Sequence, residues 1–403
     1  FGDVTSSMTE LPTEVGSYTI TYTVEENNNY NGLTKTIAFE IKAAVVVEPD
    51  PEEPGTGGEE PSEKPKLAID AKFGYVLTGL GELKDQAAVV FTNSAEIATW
   101  QAPRNLKNVE FLAVGGGGGG GVHYYSSTAK NRQGGAGGGG GAVVTGYIKE
   151  LSEEAIVSIK VGKGGTNCVY SSGSTKKATH GGNSTIKVGE LNYITAYGGG
   201  GDGGKDSVGV GIGGSNSGAR KNLAAAYLVS VNAIGEGAEN LVSDVVSRAH
   251  KGGSGYYAGG SGYPAAGGGG AGGEGGSTGD SSSSAANGGA GYESFITDVG
   301  VIYGAGGAGG YGKSGTAGSG TKRLGGGRED SGAGHSDFNK NGTDAAANRG
   351  GGGGGGSYQK VGGDGGSGVI VLRFAYSETE ISVDASTLIL PKISDKVYTG
   401  DVL

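Results

Sequence analysis

Uninterrupted runs of glycine restrict the possible folds of this chain more than any other feature of its sequence. The longest runs span residues 115–121 and 350–356, and shorter ones occupy 137–141, 198–201 and 267–270. Collagen requires glycine strictly at every third position, so these runs exclude a collagen triple helix. A disordered chain has few large apolar residues near such runs, whereas each run here adjoins a strand-like segment. The sequence therefore predicts ordered glycine segments.

Glycine supplies 91 of the 403 residues, and only 35% of the chain is hydrophobic. The usual glycine share is roughly 7%, so burial of apolar side chains alone cannot hold the glycine region together. Because glycine lacks a Cβ, extended glycine segments can approach closely and pair their backbone N–H and C=O groups. We therefore expect a substitution inside a run, such as Gly118→Val, to disrupt the packing.

Changes of composition along the chain predict four parts. Residues 1–44 are strand-like, and residues 45–66 form an acidic, proline-rich linker (EPDPEEPGTGGEEPSEKPK) that favours an extended conformation. Residues 67–376 form the glycine-rich domain. Residues 377–403 contain a second apolar, strand-like stretch. The two ends of the chain therefore differ in composition from its glycine-rich middle.

Alternation of apolar and polar residues predicts the strands of the main domain. They are expected at residues 87–92, 98–100, 109–114, 142–148, 155–161, 184–188, 192–197, 294–303 and 368–376. The strands at 142–148 and 155–161 are expected to form a hairpin. Apolar residues at helical spacing predict one short amphipathic helix over residues 238–249, which either caps the glycine region or binds a partner.

The order of these elements carries a family resemblance. The stretches TWQAPRNLKNVEFLAVGGGGGGG, GGGGGAVVTGYIKELSEEAIVSIKVGKGG and GGDGGSGVIVLRFAY resemble the glycine-rich domains of bacterial surface proteins and phage tail fibres. They also look like the glycine-rich extracellular region of anaplastic lymphoma kinase receptors. The resemblance implies a mainly β fold, in which a β-sandwich feeds its strands into a bundle of polyglycine-II helices.

The two ends of the chain resemble complementary pieces of one further domain. GSYTITYTVEENNNYNGLTKTIAFEIK resembles the last strands of the immunoglobulin-like repeats of bacterial surface proteins, and residues 381–400 resemble the opening of the same repeat. Either the C-terminal segment of one chain completes the N-terminal piece of the next by strand addition, or the chain is cut from a longer tandem polypeptide. The first residue, Phe1, favours a processed or excised segment. The predicted assembly positions are Tyr18, Ile20, Tyr22, Ile37, Phe39, Leu388, Ile389, Leu390, Ile393, Val397 and Tyr398.

Two sequence motifs resemble catalytic signatures. Residues 307–314, ending in Lys313 and Ser314, fit a phosphate-binding loop, but glycine and serine follow where a helix is required. Residues 275–279 fit the spacing of a nucleophile elbow without the preceding strand. We therefore predict that the chain is not an enzyme and uses no cofactor.

Metal binding is not indicated either. The single cysteine, Cys168, and the four histidines show no ligand spacing typical of zinc sites, and the histidines are interpreted as polar loop positions: His123, His180, His250 and His335. The aspartates among the glycines lack the repeat of calcium-binding solenoids, although isolated calcium binding stays open: Asp202, Asp206 and Asp364.

Tyrosines between the glycine runs are either caps of the glycine bundle or ligand-contacting loops: Tyr124, Tyr125, Tyr256, Tyr257 and Tyr263. The net charge of −10 argues against nucleic acid or an anionic membrane as partner. We expect a structural subunit or repeat of an extracellular, cell-surface fibre or adhesin that binds itself head to tail. The alternatives are a receptor-binding module of a phage tail fibre, with a glycan or protein receptor, and an ice-binding bundle.

Overall fold

The computed structural model describes residues 16–24, 33–41, 67–122, 134–153, 155–168, 170–171, 174–175, 177–202, 214–219, 232–255, 264–278, 285–312, 323–337, 339–357 and 360–376. The chain divides into two compact units, Phe1–Ser62 and Glu63–Leu403. The described residues are mainly β, with several antiparallel sheets and a single 3₁₀ turn at Gly325–Gly327. The mainly β class predicted from the sequence is therefore confirmed.

The first unit contains two described strands, β1 (Gly16–Val24) and β2 (Leu33–Ile41). They form an antiparallel pair in which Tyr18 lies opposite Phe39 and Ile20 lies opposite Ile37. Both strands are rich in β-branched and aromatic residues and were predicted at these positions.

The strands of the second unit follow from the alternation of apolar residues between glycine-rich stretches. They are β3 (Gly74–Leu80), β4 (Gln86–Phe91), β5 (Ile97–Gln101), β6 (Leu106–Val114), β7 (Val143–Leu151), β8 (Ile156–Lys160), β9 (Tyr170–Ser171), β10 (Ser174–Thr175), β11 (Ser184–Val188), β12 (Leu191–Ala196), β13 (Val242–Arg248), β14 (Tyr292–Ser294), β15 (Val301–Tyr303) and β16 (Val369–Ala375).

Two sheets pack face to face around the main core. One has six strands in the order β13-β7-β6-β16-β4-β3, and the other has four in the order β12-β11-β8-β5. Alternate residues of both sheets, including Phe111, Ile159 and Leu372, form one buried cluster. Trp100 of β5 stacks on Phe374 of β16, with ring centroids 5.9 Å apart. These rings belong to opposite sheets, so their stacking is a direct contact between the two layers.

The second face of the six-stranded sheet is covered as well. Leu112, Val143 and Val371 pack there against Ile296 and Tyr303 from the β14–β15 hairpin and the turn within it. The sequence predicted one strand over residues 294–303, but the structure forms two short strands joined by a turn. Asp298 has a φ of +62° in that turn, and aspartate tolerates this conformation better than most residues.

The predicted helix over residues 238–249 is wrong, because residues 242–248 form edge strand β13 beside β7. The register shifts between Ser243 and Val246, and Asp244 between them has a φ of +53°. This bulge changes the phase of the alternation. The apolar residues Val242, Val245 and Val246 consequently have the spacing of a helix while lying on a strand.

The predicted hairpin of residues 142–148 and 155–161 is also wrong. Both segments are strands, but β7 belongs to the six-stranded sheet and β8 to the four-stranded sheet. Leu151 ends β7 in one layer, and Ile156 begins β8 in the other. In the part of the chain that the structure describes, no helix has the length and apolar character needed to cross a membrane.

Candidate functional site: the hydrogen-bonded glycine segments

The glycine segments continue directly from the strands of the two sheets. β6 runs into residues 115–121, β12 runs into residues 197–202, and β15 runs into residues 304–312. In the other direction, residues 134–142 lead into β7 and residues 360–368 lead into β16. The sheets therefore fix one end of each of these glycine segments, which reduces the conformational entropy lost on ordering them.

Segment 115–121 donates all seven of its backbone N–H groups to other segments, at 2.8 to 3.1 Å. Every third residue donates to the same neighbour. Gly115, Gly118 and Gly121 donate to segment 134–142. Residues 116 and 119 donate to segment 177–183, and residues 117 and 120 donate to segment 360–368. A repeat of three residues means that the segment turns by about one third of a revolution per residue.

The carbonyl groups of residues 116–121 accept hydrogen bonds from three further segments, again with a repeat of three. Segment 197–202 bonds residues 116 and 119, segment 162–168 bonds residues 117 and 120, and segment 350–357 bonds residues 118 and 121. The central segment is thus surrounded by six hydrogen-bonded neighbours. It receives its main-chain partners from the protein rather than from water.

Segment 134–142 has the same arrangement. Its N–H groups donate to segments 350–357, 264–271 and 197–202, and its carbonyls accept from segments 115–121, 214–219 and 304–312. One donor departs from the pattern, because the N–H of Ala136 donates to the side-chain Oδ2 of Asp202 at 3.2 Å. A buried carboxylate therefore takes the place of a backbone carbonyl at this edge of the hydrogen-bonded glycine segments, which we call the glycine array.

Close approach of the backbones explains why these positions are glycine. A Cβ at Gly118 would overlap the carbonyl of Gly200, and a Cβ at Gly117 would overlap the carbonyl of Gly351. Gly273 differs, because a Cβ there would meet Ala290 atoms only at 3.6 and 3.7 Å, which is ordinary van der Waals contact. The requirement for glycine therefore holds inside the array and is relaxed at parts of its periphery.

Ser184 connects the sheets to the glycine segments. This buried side chain begins β11, accepts the N–H of Gly162 at 2.8 Å and donates to the carbonyl of Val114 at 2.6 Å. Val114 ends β6 in one sheet, whereas β11 belongs to the other. One hydroxyl thus joins both sheets to a glycine segment. The sequence did not indicate this role, because Ser184 stands only at the start of a predicted strand.

The three described histidines all bond glycine segments through Nδ1. The Nδ1 of His180 accepts the N–H of Gly201 at 3.1 Å, and the Nδ1 of His335 accepts the N–H of Gly325 at 2.9 Å. The Nδ1 of His250 lies 2.8 Å from the carbonyl of Gly270 and acts as the donor. His123 lies outside the described residues. Each of these histidine side chains thus bonds a backbone group of a glycine residue.

Of the other candidate metal ligands, Asp202 and Asp364 accept hydrogen bonds from backbone N–H groups of the glycine-rich segments. Asp364 Oδ1 accepts the N–H of Asn167 at 2.6 Å, while Cys168 is buried beside Val122 and Ala178. Asp206 lies outside the described residues. The described residues contain no cluster of three or more His, Cys, Asp or Glu side chains able to hold a metal ion.

Charged side chains gather on the second face of the six-stranded sheet. Arg373 forms an ion pair with Asp298 at 2.9 Å and donates to the amide oxygen of Gln86 at 2.6 Å. The N–H of Gly81, with help from Arg373, holds the pKa of Asp298 below its usual range. Burial raises the pKa of Glu110, which Arg373 opposes, and burial raises the pKa of Tyr303 to about 12.

The structure assigns the described residues of the two catalytic-like motifs to the glycine array. The N–H groups of residues 307–310 donate to carbonyls of residues 138, 334, 286 and 135. A phosphate-binding loop needs such donors free for the ligand. Residues 275, 276 and 278 likewise donate within the array. Lys313, Ser314 and Gly279 lie outside the described residues.

The tyrosines predicted to contact a ligand, at positions 124, 125, 256, 257 and 263, also lie outside the described residues. The residues that flank them are described. Val122 and Gly134 are the ends of their segments away from the sheets. Ala265 lies at the same end, because its N–H donates to Gly310, whose N–H donates to Gly135. Both tyrosine-containing stretches are therefore attached to the end of the array opposite the sheets.

Of the predicted assembly positions, those in the first unit share one face of the β1–β2 pair, since directly opposed residues lie on the same side of a sheet. These are Tyr18, Ile20, Tyr22, Ile37 and Phe39. The remaining six, Leu388 to Tyr398, lie outside the described residues.

Comparison with known proteins identifies the domain. The model of the glycine-rich domain family matches residues 92–375, which is well over half of the chain. The chain therefore belongs to the glycine-rich domain family. No curated protein is found to match it.

Proposed function

We propose that this glycine-rich domain is a rigid structural module of an extracellular, cell-surface fibre or adhesin. The observation that carries the proposal is the central segment with six hydrogen-bonded neighbours. An array that uses its main-chain groups internally resists local opening and keeps its two ends at a fixed separation. Such a body suits a spacer or link better than a catalyst, which needs free donors and mobile groups around a substrate.

We further propose that the glycine segments are polyglycine-II helices. The three-residue repeat of their hydrogen-bond partners supports this, because a helix of that type has three residues per turn and no internal hydrogen bonds. The carbonyls that would meet an added Cβ also support it.

Assembly would proceed through the two ends of the chain. The β1–β2 pair supports strand complementation, because two strands alone are marginally stable and an apolar face needs further strands to cover it. In the proposal, residues 388–398 of one chain supply part of the missing immunoglobulin-like sandwich of the next chain. Such a head-to-tail contact does not close on itself and produces a filament.

Electron microscopy and light scattering of the purified full chain test this assembly. The full chain is expected to form filaments whose length rises with concentration, and deletion of residues 377–403 is expected to leave monomers. Ile389→Asp should act like the deletion, whereas the neighbouring Lys392→Asp should assemble normally. A full chain that remains monomeric at all concentrations, or a deletion that still assembles, contradicts the proposal.

A receptor-binding module is the second candidate. The observation that favours it is the attachment of the tyrosine-containing stretches to one end of the array, as loops at the end of a rigid scaffold often carry binding residues. Combined Tyr124→Ser, Tyr125→Ser, Tyr256→Ser and Tyr257→Ser substitutions would then abolish binding to cells or glycans without altering thermal stability. Unchanged binding, or no binding by the parent chain, excludes this candidate.

A further inference from the structure

Exposed apolar side chains gather on two turns at the outer end of the six-stranded sheet. Leu83, in the turn between β3 and β4, is 83% exposed. Phe295 and Val299, in the turn between β14 and β15, are 61% and 65% exposed. Leu83 and Val299 are the most exposed large apolar side chains of the described residues. We refer to these three side chains as the turn patch.

The two turns are fastened to each other and to the sheet. Asp298 Oδ2 accepts the N–H of Gly81 at 2.7 Å, which joins the two turns directly. Arg373 of β16 pairs with Asp298 and donates to the carbonyl of Ile296 at 3.1 Å. The ring of Phe295 lies over Gly300, where a Cβ would come within 2.9 Å of a ring carbon. The backbone of the two turns is therefore held in place, which reduces the ordering entropy lost when a partner binds the turn patch.

The chain leaves the sheet beside this patch. The N–H of Tyr376 donates to the carbonyl of Asp85 at 2.7 Å, in the turn that carries Leu83. Arg104 donates to the carbonyl of Ala375 at 3.0 Å and lies over the ring of Tyr376, which fixes the exit point. The next large apolar residues are Ile381 and Val383. An extended chain covers about 3.3 to 3.6 Å per residue, so both lie within reach of the patch.

We propose that residues 377–383 dock on the turn patch, with Ile381 and Val383 as the apolar contacts. These two residues have the period-two spacing that puts both on one side of an extended segment. Docking fixes the direction in which the chain leaves the domain and makes the junction to the following residues rigid. The proposal uses none of residues 388–398 and so stands apart from the head-to-tail assembly.

Other exposed apolar residues provide the control. Ile97 and Ile156 are 61% and 55% exposed on the four-stranded sheet, and the chain does not leave the domain there. Ile97 of β5 lies opposite Lys160, and Ile156 of β8 lies opposite Gln101. Their exposure is similar to that of the turn patch, but they lie away from the point where residue 376 leaves the sheet.

Hydrogen exchange of residues 377–383, followed by mass spectrometry of the dilute full chain, tests the docking. The parent chain is expected to exchange there at least about tenfold more slowly than an unstructured peptide. Leu83→Ser, Phe295→Ser and Val299→Ser combined should remove this protection, and Ile97→Ser with Ile156→Ser should keep it. Free exchange in the parent chain, or protection that survives the triple substitution, overturns the proposal.

Two further results complete the test. Protection that disappears on dilution would mean that the segment of a second copy occupies the patch, which also overturns the proposal. If the triple variant fails to fold, as judged by Trp100 fluorescence, Ile381→Ser with Val383→Ser replaces it. That pair should raise exchange in residues 81–85 of the folded domain, and unchanged exchange there rejects the docking.

Discussion

An alanine at Gly118 probes the packing of the glycine array at its centre. The added Cβ would overlap the carbonyl of Gly200, so segment 197–202 would have to move away from segment 115–121. These segments are joined by hydrogen bonds from Gly199 to Gly116 at 2.8 Å and from Asp202 to Gly119 at 3.0 Å. Both bonds would be lost when the segments separate.

The cost follows from the two buried donors left without partners. Each unsatisfied buried group costs about 1–3 kcal/mol, and replacing glycine reduces the entropy of the unfolded chain by about 0.4–1 kcal/mol. We therefore expect Gly118→Ala to lower the free energy of unfolding by about 1–6 kcal/mol. Domains are stable by only about 5–15 kcal/mol, so the loss is a large share of the total.

Gly273→Ala is the matched control in the same array. Its Cβ meets only van der Waals contacts and its φ is not positive, so the unfolded-state effect should dominate. We expect this variant to be unchanged or more stable by up to about 1 kcal/mol. The two substitutions are chemically identical, but only Gly118→Ala is predicted to destabilise the domain.

Urea denaturation followed by Trp100 fluorescence measures both variants. Trp100 is the one tryptophan of the chain and is buried between the sheets, so it reports whether the array and the sandwich unfold together. Equal midpoints for Gly118→Ala and the parent chain would refute the close-packing argument. Equal losses in both variants would show that any added methyl destabilises the array, whatever its contacts.

Substitutions at three further positions test the sheets and their junction with the array. Ser184→Ala leaves the buried N–H of Gly162 without its acceptor and should cost about 1–3 kcal/mol in urea denaturation, whereas Ser184→Thr should retain part of the bond. The parent chain should lose stability between about pH 10 and 12, because burial raises the pKa of Tyr303 to about 12 in the folded state. Tyr303→Phe should abolish this loss, and melting temperatures across that pH range measure it. Asp298→Asn should be less stable than the parent at pH 7 and converge with it below about pH 4, because a lowered carboxyl pKa supplies stability that disappears as the group protonates.

Strand positions could be predicted from the sequence where one face of a strand is buried. Residues 184–188 were predicted with the bounds that β11 has, because Ile186 alternates with polar neighbours on a half-buried strand. β13 was missed because the bulge at Asp244 shifts the alternation and imitates a helix. Pairing was harder still, since β7 and β8 have the patterns of hairpin strands but lie in different sheets.

The glycine array shows where sequence reasoning stops. Runs of glycine indicate that backbones approach closely, yet they carry no side chains to specify which segments become neighbours. The six partners of segment 115–121 follow from where the strands end, which is a property of the whole fold. The roles of Ser184, Asp202 and His335 at the edges of the array were missed for the same reason, because each acts through backbone groups of segments distant in sequence.

Native-state hydrogen exchange of residues 115–121 tests the central claim most directly. All seven N–H groups of this segment are hydrogen-bonded at the centre of the array, so they should exchange only when the whole domain unfolds. The account predicts the same free energy of opening for these amides as for the core strand β16. Rapid exchange of residues 115–121 while β16 stays protected would contradict an ordered, hydrogen-bonded glycine array.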